Sequence, residues 1–166
     1  MKTIFWNSNF DIKNGGRSKS LDNFALENKY QLVKTSSGFV ENDWGVYFPL
    51  GEKATYEIGM NHKSLSYCKI FNAPEIVIQR NGVNEFLSNP HSKDIVDEID
   101  PDRVIVYGED IEETVRGFRT NGKEVYVVED AVKEISGGDL EKLIKKWEFH
   151  NVKMVKTEEV LDYLKW

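Results

Sequence analysis

Three polar side chains follow predicted strands at points where chemistry is often found. Asn7 comes directly after the first predicted strand, Arg80 follows the third, and Thr114 lies in the helix after the fourth. In a parallel sheet, ligands collect at the carboxyl ends of the strands, so we expect these side chains to converge. A hydroxyl such as that of Thr114 attacks a carbonyl only beside a strong base, and a guanidinium such as that of Arg80 can stabilise an oxyanion.

The elements that must position these residues alternate between strand and helix. The segment from Arg103 to Ile135 reads as a complete strand–helix–strand unit, because Arg103–Tyr107 and Glu124–Val128 are buried-type runs that flank a helical spacing of apolar residues. The other predicted strands are short apolar runs, at Lys2–Trp6, Gln31–Thr35, Glu75–Ile78 and Val152–Val155. Residues with helical spacing predict helices over Ser20–Lys29, Thr55–Phe71, Ser92–Ile99, Ile111–Thr120, Asp139–Trp147 and from Thr157 onward.

This alternation predicts a single α/β domain over residues 1–166. We expect a three-layer α/β/α fold with a mainly parallel, doubly wound sheet of about six strands. Ser36–Ala54 has no clear period and is expected to form a loop or small hairpin at the rim. Gly108 is expected to end the fourth strand, and Glu109 and Asp110 to cap the next helix.

Composition excludes several classes of function. Asp and Glu number 28 against 22 Lys and Arg, a formal charge of -6, which argues against a nucleic-acid surface. A single cysteine, Cys68, excludes an internal disulfide and a cysteine-rich zinc site. The first apolar run is too short for a signal peptide, and no run reaches the roughly twenty residues of a membrane span. We expect a soluble, cytoplasmic protein.

Four segments resemble the isochorismatases and nicotinamidases, a superfamily of cysteine hydrolases. Asn7–Gly16 is similar to the opening Asp-x-Gln-x-Asp-Phe-x-Pro-Gly-Gly, with Asp11 matching, and Val125–Ala131 is similar to Val-Tyr-Val-Val-x-Asp-Ala. Ile76–Phe86 resembles the segment in which the family Lys is followed by Ser-x-Phe, and Val106–Val115 resembles the glycine-containing turn that ends in the nucleophile. The resemblance implies a doubly wound α/β fold.

The resemblance also implies that the catalytic triad is substituted. Asn7, Arg80 and Thr114 stand where the family has Asp, Lys and Cys. Asn has no titratable form in the accessible range, Arg does not release a proton near neutral pH, and Thr lacks the expected base. The leading hypothesis is a degenerate family member that acts in small-molecule binding, regulation or assembly. The alternative is a hydrolase of a small amide that uses a water-based route, with Asp11 or Glu113 as the base and Arg80 on the oxyanion.

Further residues are candidates for binding a ligand. Those predicted to line a pocket are Asp11, Trp44, Phe86 and Glu113. The metal ligands of nicotinamidases are matched only in part in this sequence, by the weak candidates Asp43 and His62. We therefore predict no metal. No cofactor is predicted, because no G-x-G-x-x-G or P-loop follows a strand. The carboxylates at the former nucleophile turn favour a neutral or cationic ligand, and the resemblance implies a homo-oligomer.

Overall fold

The centre of the sheet is strand β1, Thr3–Ser8, all six residues of which are buried. The computed structural model describes residues 1–8, 16–36, 47–50, 53–59, 64–80, 89–133, 139–162 and 166. Within these residues, eight strands form one sheet in the order β3-β4-β5-β2-β1-β6-β7-β8. The remaining strands are β2 Gln31–Ser36, β3 Tyr47–Leu50, β4 Lys53–Ile58, β5 Glu75–Gln79, β6 Arg103–Glu109, β7 Glu124–Lys133 and β8 Lys153–Val155.

All neighbouring strands are parallel except β3 and β4, which are antiparallel. Helices cover both faces of the sheet: α1 Arg17–Glu27, α2 Tyr67–Asn72, α3 Ser92–Ile99, α4 Glu112–Thr120, α5 Leu140–Phe149 and α6 Thr157–Asp162. One hydrophobic core joins the sheet to α2, α3, α4 and α5, and a second joins it to α1 and α6. The predicted three-layer α/β/α class is therefore confirmed. None of the helices in the described ranges is long and apolar enough to cross a membrane.

The sheet has two more strands than the sequence predicts. The helix predicted over Thr55–Phe71 is wrong, because its first part is strand β4 and, among its described residues, the helix begins at Tyr67 and runs to Asn72. Tyr56 and Ile58 are buried while Glu57 between them is only partly buried, which is the two-residue period of a strand. The hairpin expected within Ser36–Ala54 is present at its end, where β3 pairs with β4.

The turn between β6 and α4 also differs from the prediction. Gly108 does not end the strand, which continues to Glu109 after a shift in its register with β7. The helix is not capped by Glu109 or Asp110; its N-cap residue is Ile111, without a side-chain cap. A bulge of this kind needs a residue with positive φ, and glycine adopts such a conformation without steric cost. Gly108 has a φ of 106°. By contrast, the predicted N-cap Asp139 of α5 is confirmed by its bond from the Glu141 amide, 3.1 Å.

We predict that Gly108→Ala destabilises the protein far more than Gly122→Ala. Both glycines have positive φ, but a Cβ at Gly108 would lie 2.1 Å from the Ser8 carbonyl oxygen, whereas a Cβ at Gly122 meets nothing within 4 Å. The matched control at Gly122 should lose about 1 kcal/mol from the left-handed backbone alone. Gly108→Ala should lose about 3 kcal/mol or more, because overpacking is added. Urea denaturation measures both losses, and equal losses would contradict the close approach of β1 and β6.

Candidate functional site

The candidate site is built on the carboxyl end of β1, between β2 and β6. Asn7 is in register with Lys34 on β2 and with Tyr107 on β6, and Ser8 is in register with Gly108. Successive side chains of a strand point to opposite faces, so the side chains of Asn7 and Ser8 lie on opposite sides of the sheet. Both are buried, at 2% and 0% exposure.

The Asn7 amide faces a buried carboxylate from α1. Its Nδ2 atom donates to Asp22 Oδ1 at 3.0 Å and to Asp22 Oδ2 at 3.2 Å. An ionised carboxylate only accepts hydrogen bonds, so it is the NH₂ group of Asn7 that must face Asp22. The Tyr107 hydroxyl also donates to Asp22 Oδ1, at 2.7 Å. The amide of Asn7 is thus fixed in one orientation by Asp22.

Lys34 supplies the positive charge of this cluster. Its Nζ lies 3.3 Å from Asp22 Oδ2 and 2.6 Å from Glu75 Oε1. We call Asn7, Asp22, Lys34, Glu75 and Tyr107 the Asp22 network. In this network one lysine pairs with two carboxylates inside the protein, where a buried charge is costly unless it is paired.

Burial and the neighbouring charges together set the pKa values in the Asp22 network. Desolvation raises the pKa of Asp22 above its ordinary value, although Lys34 and the hydrogen bonds from Tyr107 and Asn7 oppose the rise. Desolvation and the neighbouring Asp22 carboxylate raise the pKa of Tyr107 well above 10, so its hydroxyl stays a donor. Burial would lower the pKa of Lys34, but the attraction of Asp22 and Glu75 outweighs it and the pKa is raised.

Arg80 reaches Ser8, the neighbour of Asn7. Its Nη1 donates to Ser8 Oγ at 3.0 Å, and Ser8 Oγ donates to the Glu109 carbonyl at 2.8 Å. The hydroxyl of Ser8 therefore connects the end of β5 to the end of β6 across β1. Arg80 is 3% exposed, so its cation is held inside the protein at the carboxyl edge of the sheet.

Thr114 lies in the first turn of α4, the helix that follows β6, and is fully buried. The three predicted triad positions are thus at the end of β1, at the end of β5 and at the start of the helix after β6. A direct contact at this edge joins Arg80 to Ser8. That Asn7, Arg80 and Thr114 line one pocket stays a prediction.

The other predicted site residues divide into two groups. Glu113 is also in the first turn of α4, where it pairs with Arg116 at 3.3 Å and has a side chain that is 28% exposed. The other residues predicted to bind a ligand or metal lie outside the described residues: Asp11, Trp44, Phe86, Asp43 and His62. Among the residues that the structure does describe, no group of three or more His, Cys, Asp and Glu side chains could hold a metal ion.

Sequence reasoning missed Asp22 and Lys34, although each carries a signal. Asp22 lies beside Leu21 and three residues before Ala25, on the apolar face of α1. Lys34 directly follows the apolar pair Leu32 and Val33 in β2, and its strand neighbours Val33 and Thr35 are fully buried. A charged residue at a core position of a helix or central strand indicates a buried partner of opposite charge.

No protein-family model and no curated protein matches this chain, so the comparison with known proteins rests on solved structures. A pyrazinamidase/nicotinamidase from Streptococcus mutans superposes with a TM-score of 0.61 at 13% identity over 93% of this chain and 100% of that one. An isochorismatase-like hydrolase from Alkaliphilus metalliredigens gives 0.58 at 12% identity over 97% and 98%. YcaC from Escherichia coli, an octameric hydrolase of unknown specificity, gives 0.59 at 13% identity over 96% and 78%. The chain is similar to these hydrolases in its fold.

We predict that Asn7→Asp is strongly destabilising near neutral pH. It would place a second carboxylate about 3 Å from Asp22, and leaving a buried charge uncompensated costs about 3–5 kcal/mol. Such a pair binds a proton more tightly when folded than when unfolded. The loss should therefore shrink as the pH falls towards the unfolded pKa of Asp, about 3.9. Urea denaturation at several pH values measures it.

The matched control exchanges the two residues. Asn7→Asp combined with Asp22→Asn restores one carboxylate and one amide, so about half or more of the lost stability should return. A double-mutant cycle gives the coupling between the two positions. Additive losses, or a loss for Asn7→Asp that does not change with pH, would show that Asp22 does not determine the residue at position 7.

Proposed function

We propose that this chain, which has the fold of the isochorismatase-like hydrolases, is a catalytically degenerate member of that superfamily. It would act in binding a small molecule, in regulation or in assembly rather than by cysteine-dependent hydrolysis. The observation that carries the proposal is the hydrogen bonding of Asn7. At the position where the resemblance implies the catalytic base, the side chain is an amide that donates to the buried Asp22 carboxylate.

The chemistry of the three positions supports this proposal. A neutral amide accepts no proton near neutral pH, so Asn7 does not replace a carboxylate base. Arg80 keeps its charge and donates to Ser8 instead of shuttling a proton. Thr114 has a hydroxyl that needs a base to become a nucleophile. Members of a triad act as a unit, so three substitutions together remove the mechanism.

The charges near the site favour a neutral or cationic small ligand over an anion. Glu109 ends β6 and Asp110 follows it, at 6% and 9% exposure, and Glu112 and Glu113 begin α4. Arg116 and Lys146 neutralise part of this charge at the helix surface, and Lys133 lies 3.7 Å from Glu109. The remaining carboxylates would repel a negatively charged substrate at the former nucleophile turn.

We predict that the purified protein releases no ammonia from a panel of small amides that includes nicotinamide and pyrazinamide. The Streptococcus mutans enzyme serves as the positive control. The rival hypothesis is a hydrolase in which Asp11 or Glu113 is the base and Arg80 stabilises the oxyanion. It requires turnover that Arg80→Ala abolishes and that Asp11→Asn or Glu113→Gln lowers, and such turnover would overturn the degenerate assignment.

We further propose a cytoplasmic homo-oligomer. Helix α2 exposes Tyr67 at 59% and Phe71 at 57%, one turn apart on the same side of the helix. The similar YcaC is octameric. Light scattering after gel filtration should give a mass above one chain, and Tyr67→Glu with Phe71→Glu should lower it. Phe149→Glu, which removes an exposed aromatic of α5, is the control and should leave the mass unchanged; a monomeric parent protein would refute the proposal.

A further inference from the structure

A groove on the helical layer has the composition of a ligand site and lies apart from the triad positions. It runs between α4 and α5, has a volume of about 380 Å³ and ends against Val152, just before β8. Pockets that hold small ligands have volumes of about 300–1,000 Å³. Asn7, Arg80 and Thr114 are absent from its lining.

The floor of the groove is apolar. It is formed by Val115 from α4, Trp147 from α5 and Val152, which are 1%, 3% and 4% exposed. These side chains belong to the hydrophobic core beneath the helices, so the floor is held in place by the packing of the sheet. The floor exposes little surface of its own, so a flat ring in the groove would contact its few exposed atoms, those of Trp147 among them, and the alkyl stems of the rim side chains.

The rim of the groove is cationic, although the whole chain carries a formal charge of -6. Arg116, Arg119 and Lys146 line it together with a single carboxylate, Glu112. Glu112 Oε1 lies 2.7 Å from Lys146 Nζ and 3.8 Å from Arg116 Nη2. Arg116 Nη1 also lies 3.3 Å from Glu113 Oε1. Three cations therefore face two carboxylates, and because an ammonium has three donors and a guanidinium five, these pairs do not exhaust the donors.

The rim is also positioned for a ligand that enters from solvent. The side chains of Arg116 and Lys146 are 60% and 48% exposed, so they can turn towards an incoming anion at little cost. Arg119 is more constrained, because its Nη1 donates to the Lys123 carbonyl at 3.1 Å. A planar carboxylate can bind two guanidinium donors at once, which fixes its orientation above the floor.

We propose that this groove binds a small aromatic carboxylate, with the ring on Val115, Trp147 and Val152 and the carboxylate between Arg116, Arg119 and Lys146. It is a binding site distinct from the carboxyl edge of the sheet and does not depend on whether the triad positions are catalytic. The ligand charge it selects is the opposite of that favoured at the edge.

The test compares three probes that share one ring system: 1-naphthoate, neutral 1-naphthamide and cationic 1-naphthylmethylamine. Calorimetric titration of the full chain should show 1-naphthoate binding at least about tenfold more tightly than either of the others. In NMR spectra, 1-naphthoate should shift the indole N–H signal of Trp147, identified by its loss in Trp147→Phe. Equal affinity for the three probes, or shifts confined to other tryptophans, would overturn the proposal.

Matched variants locate the charge. Arg116→Glu with Lys146→Glu should weaken 1-naphthoate binding about tenfold or more, because both exposed cations of the rim are reversed. Lys142→Glu with Lys145→Glu makes the same change of net charge on α5 without touching the lining and should leave the affinity within about twofold. If both pairs weaken binding equally, only the overall charge matters and the groove is not the site. Circular dichroism checks that each pair is folded.

Discussion

The carboxylate of Asp22 places the strongest constraint on the carboxyl edge of the sheet. It is nearly inaccessible to water, and it accepts hydrogen bonds from Asn7 on β1 and Tyr107 on β6 and lies in an ion pair with Lys34 on β2. One side chain of α1 therefore holds three neighbouring strands. A buried acceptor of this kind requires donors around it, so the residue at position 7 is an amide for the same reason that position 107 is a phenol.

This constraint acts directly on position 7. An Asp there would be repelled by Asp22, so the amide of Asn7 belongs to a polar core that also includes Tyr107 and Lys34. Arg80 donates to Ser8, the neighbour of Asn7, and is linked through it to the Glu109 carbonyl. Hydrogen bonds thus connect the ends of β1, β5 and β6 at the carboxyl edge.

The sequence predicts the strands better than the polar contacts, for a physical reason. Runs such as Val104–Tyr107 are buried on both faces, and their apolar character is a local property of the chain. The sequence does not predict the strand at Lys53–Ile58, because its two-residue alternation is short and the segment that follows it contains the helix at Tyr67–Asn72. The contact between Asn7 and Asp22 depends on how α1 packs across the sheet. No spacing within one element encodes that geometry, although the position of Asp22 on an apolar helical face could have indicated it.

Helix α4 connects the carboxyl edge of the sheet to the groove on the helical layer. Its buried side carries Thr114, Val115 and Phe118, and its outer side carries Arg116 and Arg119. The ring of Phe118 packs edge-on against Trp6, 5.0 Å between centroids, and Trp6 directly precedes Asn7 on β1. A shift of α4 relative to the sheet would disturb this contact as well as the groove. Because close-packed interiors resist such shifts, α4 holds the buried Thr114 and the cationic rim in a fixed relation to each other.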